Sequence, residues 1–368
     1  MAISNLVYAG TYSEPIRFGT GQLLEGKGKG IYSFRFDPQT ATLAPHGLTE
    51  GVRNASYLCF DAGRKYLYCV NEMKEWNGQF GGGLSAYSID QQTGALTFLN
   101  ARPSRGTDPC HIIVDKSGKY VFVANFASGS FIGYRLEADG SLGGECAFVQ
   151  HEGSSIDPAR QTGPHAHAVE FDRQGRFLYV PDLGMDKVMV YELNREDGSV
   201  TPATQPFVST RPGAGPRQVV MHPGGRFAYL INELDSTMTA FAYDSATGGL
   251  TELQTLSTLP EGWTGKTSCA EVQITPDGKF LYGSNRGHNS LAIYAVAADT
   301  GLLTLVGHES TRGEIPRNFE VSPDGRFVIA ANQDTGNLVV FRLDPATGQL
   351  AASGSEVDAG TPICVRFA

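Results

Sequence analysis

The sequence predicts an all-β fold: a seven-bladed β-propeller of four-stranded antiparallel blades, with residues 1–368 forming one domain. Three observations predict it. A strand–turn–strand unit recurs with a period of roughly 50 residues, further strands follow each copy, and the two chain ends carry complementary halves of one more copy.

The unit reads YLCFDAGRKYLYCVNE, HIIVDKSGKYVFVANF, HAVEFDRQGRFLYVPD, QVVMHPGGRFAYLINE, EVQITPDGKFLYGSNR and NFEVSPDGRFVIAANQ. Each copy is an apolar alternation, a tight turn and a second alternation, the signature of a hairpin. The turns carry Gly63, Gly118, Gly175, Gly225, Gly278 and Gly325, and triplets such as PDG supply a preset proline and a glycine able to adopt positive φ. A third alternation follows (LSAYSID, FIGYRLE, VMVYELN, MTAFAYD, LAIYAVA, LVVFRLD), then a Gly-containing turn that opens a fourth strand. Four strands per repeat make a propeller blade.

The C-terminal TPICVRFA has the pattern of an inner strand, and the N-terminal NLVYAGTYS that of the second strand that should follow it. Joined, and completed by GIYSFRFD and TATLAPHG, they predict a blade shared by both ends, which closes the ring and hides edge strands. Two insertions follow second strands, one at about 13–30 (SEPIRFGTGQLLEGKGKG) and one at KEWNGQFGGG. They are expected to be surface loops, or walls over a site.

Composition narrows the function. A net charge of -9 argues against a phosphate backbone as partner, which needs clustered Lys and Arg. No apolar run is long enough for a bilayer and no leader pattern opens the chain, so no membrane partner and a cytoplasmic location are expected. Cys59, Cys69, Cys110, Cys146, Cys269 and Cys364 show no CxxC pairing and are expected to be free thiols. No GxSxG elbow, P-loop, EF-hand or GxGxxG after a βαβ strand occurs, which disfavours covalent serine chemistry and nucleotide chemistry; no cofactor and no metal are expected. The sequence does not determine an oligomeric state.

Blade geometry assembles a candidate site. The start of each inner strand and the end of each second strand share one mouth of the central channel. Ser56, Cys110, His167, Arg217, Ala270 and Arg317 stand at the inner-strand heads, with His111, Glu271 and Asn318 one residue later. The second strands end near Tyr12, Glu72, Asn125, Asp182, Glu233, Arg286 and Asn332, with His288 just beyond. Convergent His, Arg and carboxylate groups at a concave opening form the usual layout of a small-molecule site.

In TGPHAHAVEFD, His165 and His167 project to the same side of an extended segment, as a metal pair would, with Glu233 or Asp182 as a third ligand. No HExxH or Cys partner accompanies them. Acid/base work by His167 is the preferred reading, with His165 as support or substrate contact. Arg217, Arg286 and Arg317 suit a substrate carboxylate or an oxyanion, or else blade-joining ion pairs. Glu233 and Glu271 suit a base or an orienting carboxylate. Glu72 and Asp182 have the same two readings, and Arg17, Arg160 and Lys266 lie in loops where they meet either solvent or an anionic group.

The segments GAGPRQVVMHPGGRFAYLINEL, EVQITPDGKFLYGSNRGHNSLAIY and PRNFEVSPDGRFVIAANQ, with the GPR, NEL and NRGH stretches most specific, resemble the seven-bladed β-propeller lactonase family. That family includes propeller-type 6-phosphogluconolactonases and the 3-carboxy-cis,cis-muconate lactonising enzyme. The resemblance implies catalysis by one His, two Arg and one Glu without a metal, which by motif fall on His167, Arg217, Glu233 and Arg286. It implies hydrolysis of a sugar-acid lactone, 6-phosphogluconolactone first and unphosphorylated aldonic or aldaric lactones next. Arg217 and Arg286 would stabilise the oxyanion, while His167, positioned by Glu233, would take a proton from water and return it to the ring oxygen. The alternatives are a cycloisomerase of the muconate type and a non-catalytic ligand-binding propeller. His165, Glu271, His288, Arg317, Asn318, Glu72 and Asp182 are the expected substrate contacts.

Overall fold

The computed structural model describes residues 3–18 and 21–368. Seven four-stranded antiparallel sheets form the blades. Blade 1 is the shared one: Pro362–Phe367 pairs with Leu6–Thr11, followed by Gly30–Asp37 and Thr42–Glu50. Its closing register sets Val7 opposite Phe367 and Ala9 opposite Val365, and Ala368 N–H donates to Leu6 O at 2.9 Å. The blade split between the chain ends is therefore a single hydrogen-bonded sheet.

Blades 2 to 7 begin with the inner strands Ala55–Phe60, Pro109–Val114, Glu170–Phe171, Pro216–Met221, Ser268–Ile274 and Pro316–Val321. Their second strands are Tyr66–Asn71, Tyr120–Asn125, Phe177–Asp182, Phe227–Asn232, Phe280–Arg286 and Phe327–Asn332. These second strands are buried on both faces, because neighbouring blades cover each side, whereas outer strands such as Thr42–Glu50 are largely exposed. The core accordingly lies between blades. At the closure Phe36 meets Phe327 and Phe367 edge-to-face, with ring centroids 4.9 and 5.5 Å apart.

A second device locks five of the seven blades to the next. Tyr8, Tyr68, Tyr179, Tyr229 and Tyr282, each on a second strand, donate their hydroxyls to the carbonyls of Gly94, Gly140, Gly248, Gly301 and Gly348 in the next blade. Gly248 is held at φ 74°, and a Cβ there would lie 2.6 Å from Phe177 Cδ1. Gly248→Ala is thus expected to destabilise the protein by about 3 kcal/mol, combining left-handed strain with overpacking. Urea unfolding should show a lower midpoint at unchanged slope; an unchanged midpoint would remove this glycine from the lock.

Two local expectations are corrected. In the blade 2 hairpin the left-handed residue is Arg64 (φ 54°), not Gly63. Arg64, three residues after Asp61, occupies the position of Gly118, three residues after Asp115. The inner strand of blade 4 is also shorter than the HAVEFD pattern implies. Regular pairing covers only Glu170–Phe171, while an isolated bridge joins Ala166 to Asp182 and leaves His167 between the two.

Both insertions form two-stranded ribbons, Ile16–Arg17 with Leu23–Leu24 and Glu75–Trp76 with Gln79–Phe80. Gly19 and Thr20 of the first lie outside the described residues. Lys74 Nζ links the two insertions by donating to Arg17 O at 3.2 Å. Among the described residues no helix is long and apolar enough to cross a membrane, and all six cysteines are free.

Candidate active site

In blades 2 to 5 and 7 the second strand ends on Asn or Asp, in blade 6 Asn285 stands one residue before the end, and the residue after this Asn or Asp behaves differently from it. The amide side chains of Asn71, Asn125, Asn285 and Asn332 donate to loop carbonyls at Arg53, Ser104, Thr258 and Thr311, tying the mouth together. The residue that follows is held by its own N–H: Glu72, Phe126, Leu183, Glu233 and Gln333 donate to the carbonyls of Asn54, Asp108, His165, Gly215 and Ile315. Alternation then directs the second set inward. Glu72, Phe126, Glu233, Arg286 and Gln333 all line a cavity of about 180 Å³ at the mouth of the channel.

The inner strands contribute through bulges. Pairing slips between Pro109 and His111, between Pro216 and Gln218, and between Pro316 and Asn318, and the extra residue re-aims its side chain, as bulges beside active sites do. The re-aimed residues are Cys110, Arg217 and Arg317. His167 stands at the matching place in blade 4, its N–H donating to Pro181 O at 2.9 Å.

Glu233 is the hub. Its Oε1 lies 2.7 Å from Arg160, and its Oε2 lies 2.8 Å from Arg286, 3.1 Å from Arg217 Nε and 3.7 Å from His167 Nε2. Burial would raise this carboxyl, but Arg286, Arg160, His167 and Arg217 overrule it and hold the group well below the ordinary carboxylate range. Glu233 is ionised and acts as an acceptor only.

His167 is held neutral. Burial, aided by Arg217 and Arg317 and opposed by Glu233, pulls its imidazole well below the usual value. Its Nδ1 lies 3.6 Å from Cys110 Sγ, and the ring packs edge-on against Phe126 with centroids 5.0 Å apart. The 3.7 Å gap from Nε2 to Glu233 exceeds hydrogen-bond length, so this nitrogen is available for a bridging molecule. Cys110 is no nucleophile: burial, and then Glu72, push its thiol well up.

The arginines separate by position. Arg286 lines the cavity, donates to Glu233 and to Cys269 O at 2.6 Å, and leaves its buried Nε without a partner. Burial and the neighbouring Arg217 and Arg317, opposed by Glu233, lower it to about 10, so it stays charged at neutral pH. Arg217 is tied to Glu233 and to Ala270 O and faces a deeper pocket of about 10 Å³, the size of one water. Arg317 lines both spaces, and its guanidinium lies 5.2 Å from the Phe18 ring centroid and 5.9 Å from that of Tyr12. Among the described residues Arg317 forms no ion pair.

Of the other expected contacts, Glu72 lines both spaces and Glu271 only the deeper one, where its Oε1 accepts from Gln218 and Gln273 at 3.1 and 2.8 Å. His165, Asp182, His288 and Asn318 line neither. Asp182 is fully buried, binding His151 Nδ1 at 2.6 Å and the His165 N–H at 2.7 Å; it occupies the strand-end position that alternation turns away from the cavity. The His165 ring stacks on Phe126 and meets Phe126 O at 3.0 Å, whereas His167 lines both spaces. His288 is bound to Ser290 and Asn318 to Val365 N. Among the described residues no three His, Cys, Asp or Glu side chains group as metal ligands do. Sequence reasoning passed over Asp108, which lines the cavity; the available signal was its place two residues before Cys110, matching Asn54, Gly215 and Ile315 in other blades.

A propeller whose channel mouth holds a neutral histidine, an ionised glutamate and several guanidinium groups carries the side chains that acid–base chemistry on an anionic or carbonyl substrate requires. The chain belongs to the family described as "Lactonase, 7-bladed beta-propeller", whose model matches residues 6–367, and it is a lactonase. It is 35% identical to a Bacillus subtilis 6-phosphogluconolactonase over 85% of this chain and 83% of that one. Among solved structures, a putative 6-phosphogluconolactonase from Bacteroides fragilis is 33% identical with a TM-score of 0.88, covering 99% of this chain and 97% of that chain. The Pseudomonas aeruginosa periplasmic gluconolactonase is 34% identical with a TM-score of 0.90, covering 98% of both.

Proposed function

We propose that the protein hydrolyses a sugar-acid lactone, with 6-phosphogluconolactone the first candidate and unphosphorylated gluconolactone the second. Both candidates come from the names of its relatives. The observation that carries the mechanism is the convergence of neutral His167, ionised Glu233 and Arg286 on one cavity.

In this reading the lactone carbonyl lies against Arg286, whose unpartnered Nε–H donates to the oxygen as negative charge grows there. His167 takes a proton from the attacking water. Glu233 stabilises the imidazolium that results and holds Arg217 and Arg286 in place. The substrate is a small polar molecule bound at the channel mouth, and the place of action is the cytoplasm. Fractionation of the source cells checks the location, since the Pseudomonas relative is described as periplasmic.

The test is turnover of 6-phosphogluconolactone and gluconolactone by purified protein. Turnover of neither, together with consumption of carboxymuconate followed by ultraviolet absorbance, would replace hydrolysis with lactone formation. Arg317 is assigned to the substrate's anionic group because it is a guanidinium facing the cavity without a carboxylate partner. Arg317→Met is therefore expected to raise KM for the phosphorylated lactone by about 10- to 100-fold, the loss of one charge-assisted contact. KM for gluconolactone should change little, and an equal rise for both substrates would remove Arg317 from phosphate recognition.

A further inference from the structure

We propose that Asp108 is the general acid of this reaction, its carboxyl protonating the ring oxygen as the acyl C–O bond breaks. The inference rests on the lactonase reading above and adds a residue to it.

Asp108 lines the same cavity as His167, Glu233 and Arg286, and is 6% exposed. Its Oδ1 is buried with no hydrogen-bond partner, and its Oδ2 lies 3.6 Å from Lys74 Nζ, longer than a direct hydrogen bond. An orphaned carboxyl oxygen in a cavity wall is satisfied by what enters the cavity. Two residues on, Cys110 Sγ touches His167 at Nδ1 and at its carbonyl, so Asp108 enters the cavity wall from the strand that contacts the base.

The position is built by the blade repeat. Asn54, Asp108, Gly215 and Ile315 all have left-handed φ angles of 42°, 53°, 67° and 58°, and all accept the N–H of the residue after the second strand. The conformation thus belongs to the scaffold, and of these four residues only Asp108 carries an acid. The groups facing it are Glu72 after the blade 2 strand, Lys74 in the second insertion, Tyr12 beside the first insertion and Cys110 on the blade 3 strand. Burial, and then Glu72, opposed by Lys74, push the carboxyl up to about 6, so a protonated fraction persists toward neutral pH. Glu233 cannot serve as this acid because four cationic or imidazole partners keep it ionised.

The protons balance. His167 takes one from water, the hydroxyl adds to the carbonyl carbon, and the tetrahedral oxyanion collapses with cleavage of the bond to the ring oxygen. Asp108 gives its proton to that oxygen, which leaves as an alcohol. The new carboxylic acid ionises to solvent, and solvent carries the proton of His167 back to Asp108.

Asp108→Asn tests this with little risk to folding, because Asn54 already occupies the equivalent left-handed position in blade 2. With the uncatalysed hydrolysis subtracted, the wild-type protein is expected to lose kcat/KM as pH rises through about 6. Asp108→Asn should lower kcat by about 100-fold, leave KM nearly unchanged and abolish that alkaline limb; Asp108→Glu should restore part of both. Lys74→Met should move the limb to higher pH, since a cation favouring the carboxylate is gone. If Asp108 serves only as partner to Lys74, Asp108→Asn keeps the wild-type kcat and limb, and the proposal is overturned while the lactonase reading stands. If the wild-type protein opens no lactone, both fall. Carboxyl NMR of Asp-labelled protein, with Asp108→Asn assigning the signal, gives a readout independent of activity: a titration near 6 agrees with the proposal, and an ordinary aspartate titration overturns it.

Discussion

Replacing His167 by alanine is expected to lower kcat on the preferred lactone by about 1,000-fold, within the range that a positioned general base contributes. KM should change far less, since Arg317 and Arg286 hold the substrate. The imidazole is 7% exposed and wedged between Cys110 and Phe126, so its removal leaves a hole of its own shape, and added imidazole should recover part of the rate. The pH dependence follows from the direction of its shift. With its affinity for a proton pulled well below normal, the wild-type base stays active below pH 6.5, and the acid limb of kcat/KM should lie on that side. Unchanged turnover in His167→Ala would end the mechanism.

The second large effect is expected at Glu233. Glu233→Gln keeps the size of the side chain but leaves Arg160, Arg217 and Arg286 without their common counter-charge. Breaking a buried ionic cluster from one side costs about 3–5 kcal/mol, and kcat should fall by about 100-fold or more as Arg286 and the imidazolium of His167 lose their partner. The sign of the pH effect is determined. Glu233 is depressed in the folded state, so its stabilisation is complete above the unfolded carboxyl value and is lost as pH falls through the folded one. The stability gap between wild type and Glu233→Gln should therefore be widest at neutral pH and shrink on acidification below about 4. Urea titrations at several pH values measure it, and a gap that does not depend on pH would mean that Glu233 is not the counter-charge.

Much of this site was legible because the blades repeat. Once Gly118 and its counterparts mark the hairpins, the same count in every blade leads to His167, Arg217 and Arg317 on the inner strands and to Glu72, Glu233 and Arg286 after the second strands. The count failed where one residue decides the facing direction. Asp182 was grouped with Glu233, yet it is the counterpart of Asn232, and a one-residue step in an extended chain reverses the side chain. Asn318 follows its bulge by one residue and is spent joining blade 7 to the closing strand. His288 lies beyond the strand and is taken by Ser290.

By itself the sequence determined the all-β class, the four-stranded blades, the closure by both chain ends and the set of strand ends that meet at one mouth. These depend on period-two alternation and turn chemistry, which are local and repeated. The tertiary structure decided which groups share the cavity and in what charge state. It made Glu233 the common partner of three arginines, turned Arg217 toward the deeper pocket, left Arg317 without an ion pair among the described residues and put Asp108 in the wall of the cavity that His167 also lines. Those outcomes depend on bulges and on contacts between blades far apart in the chain, where burial and neighbouring charge, rather than residue type, set what each side chain can do.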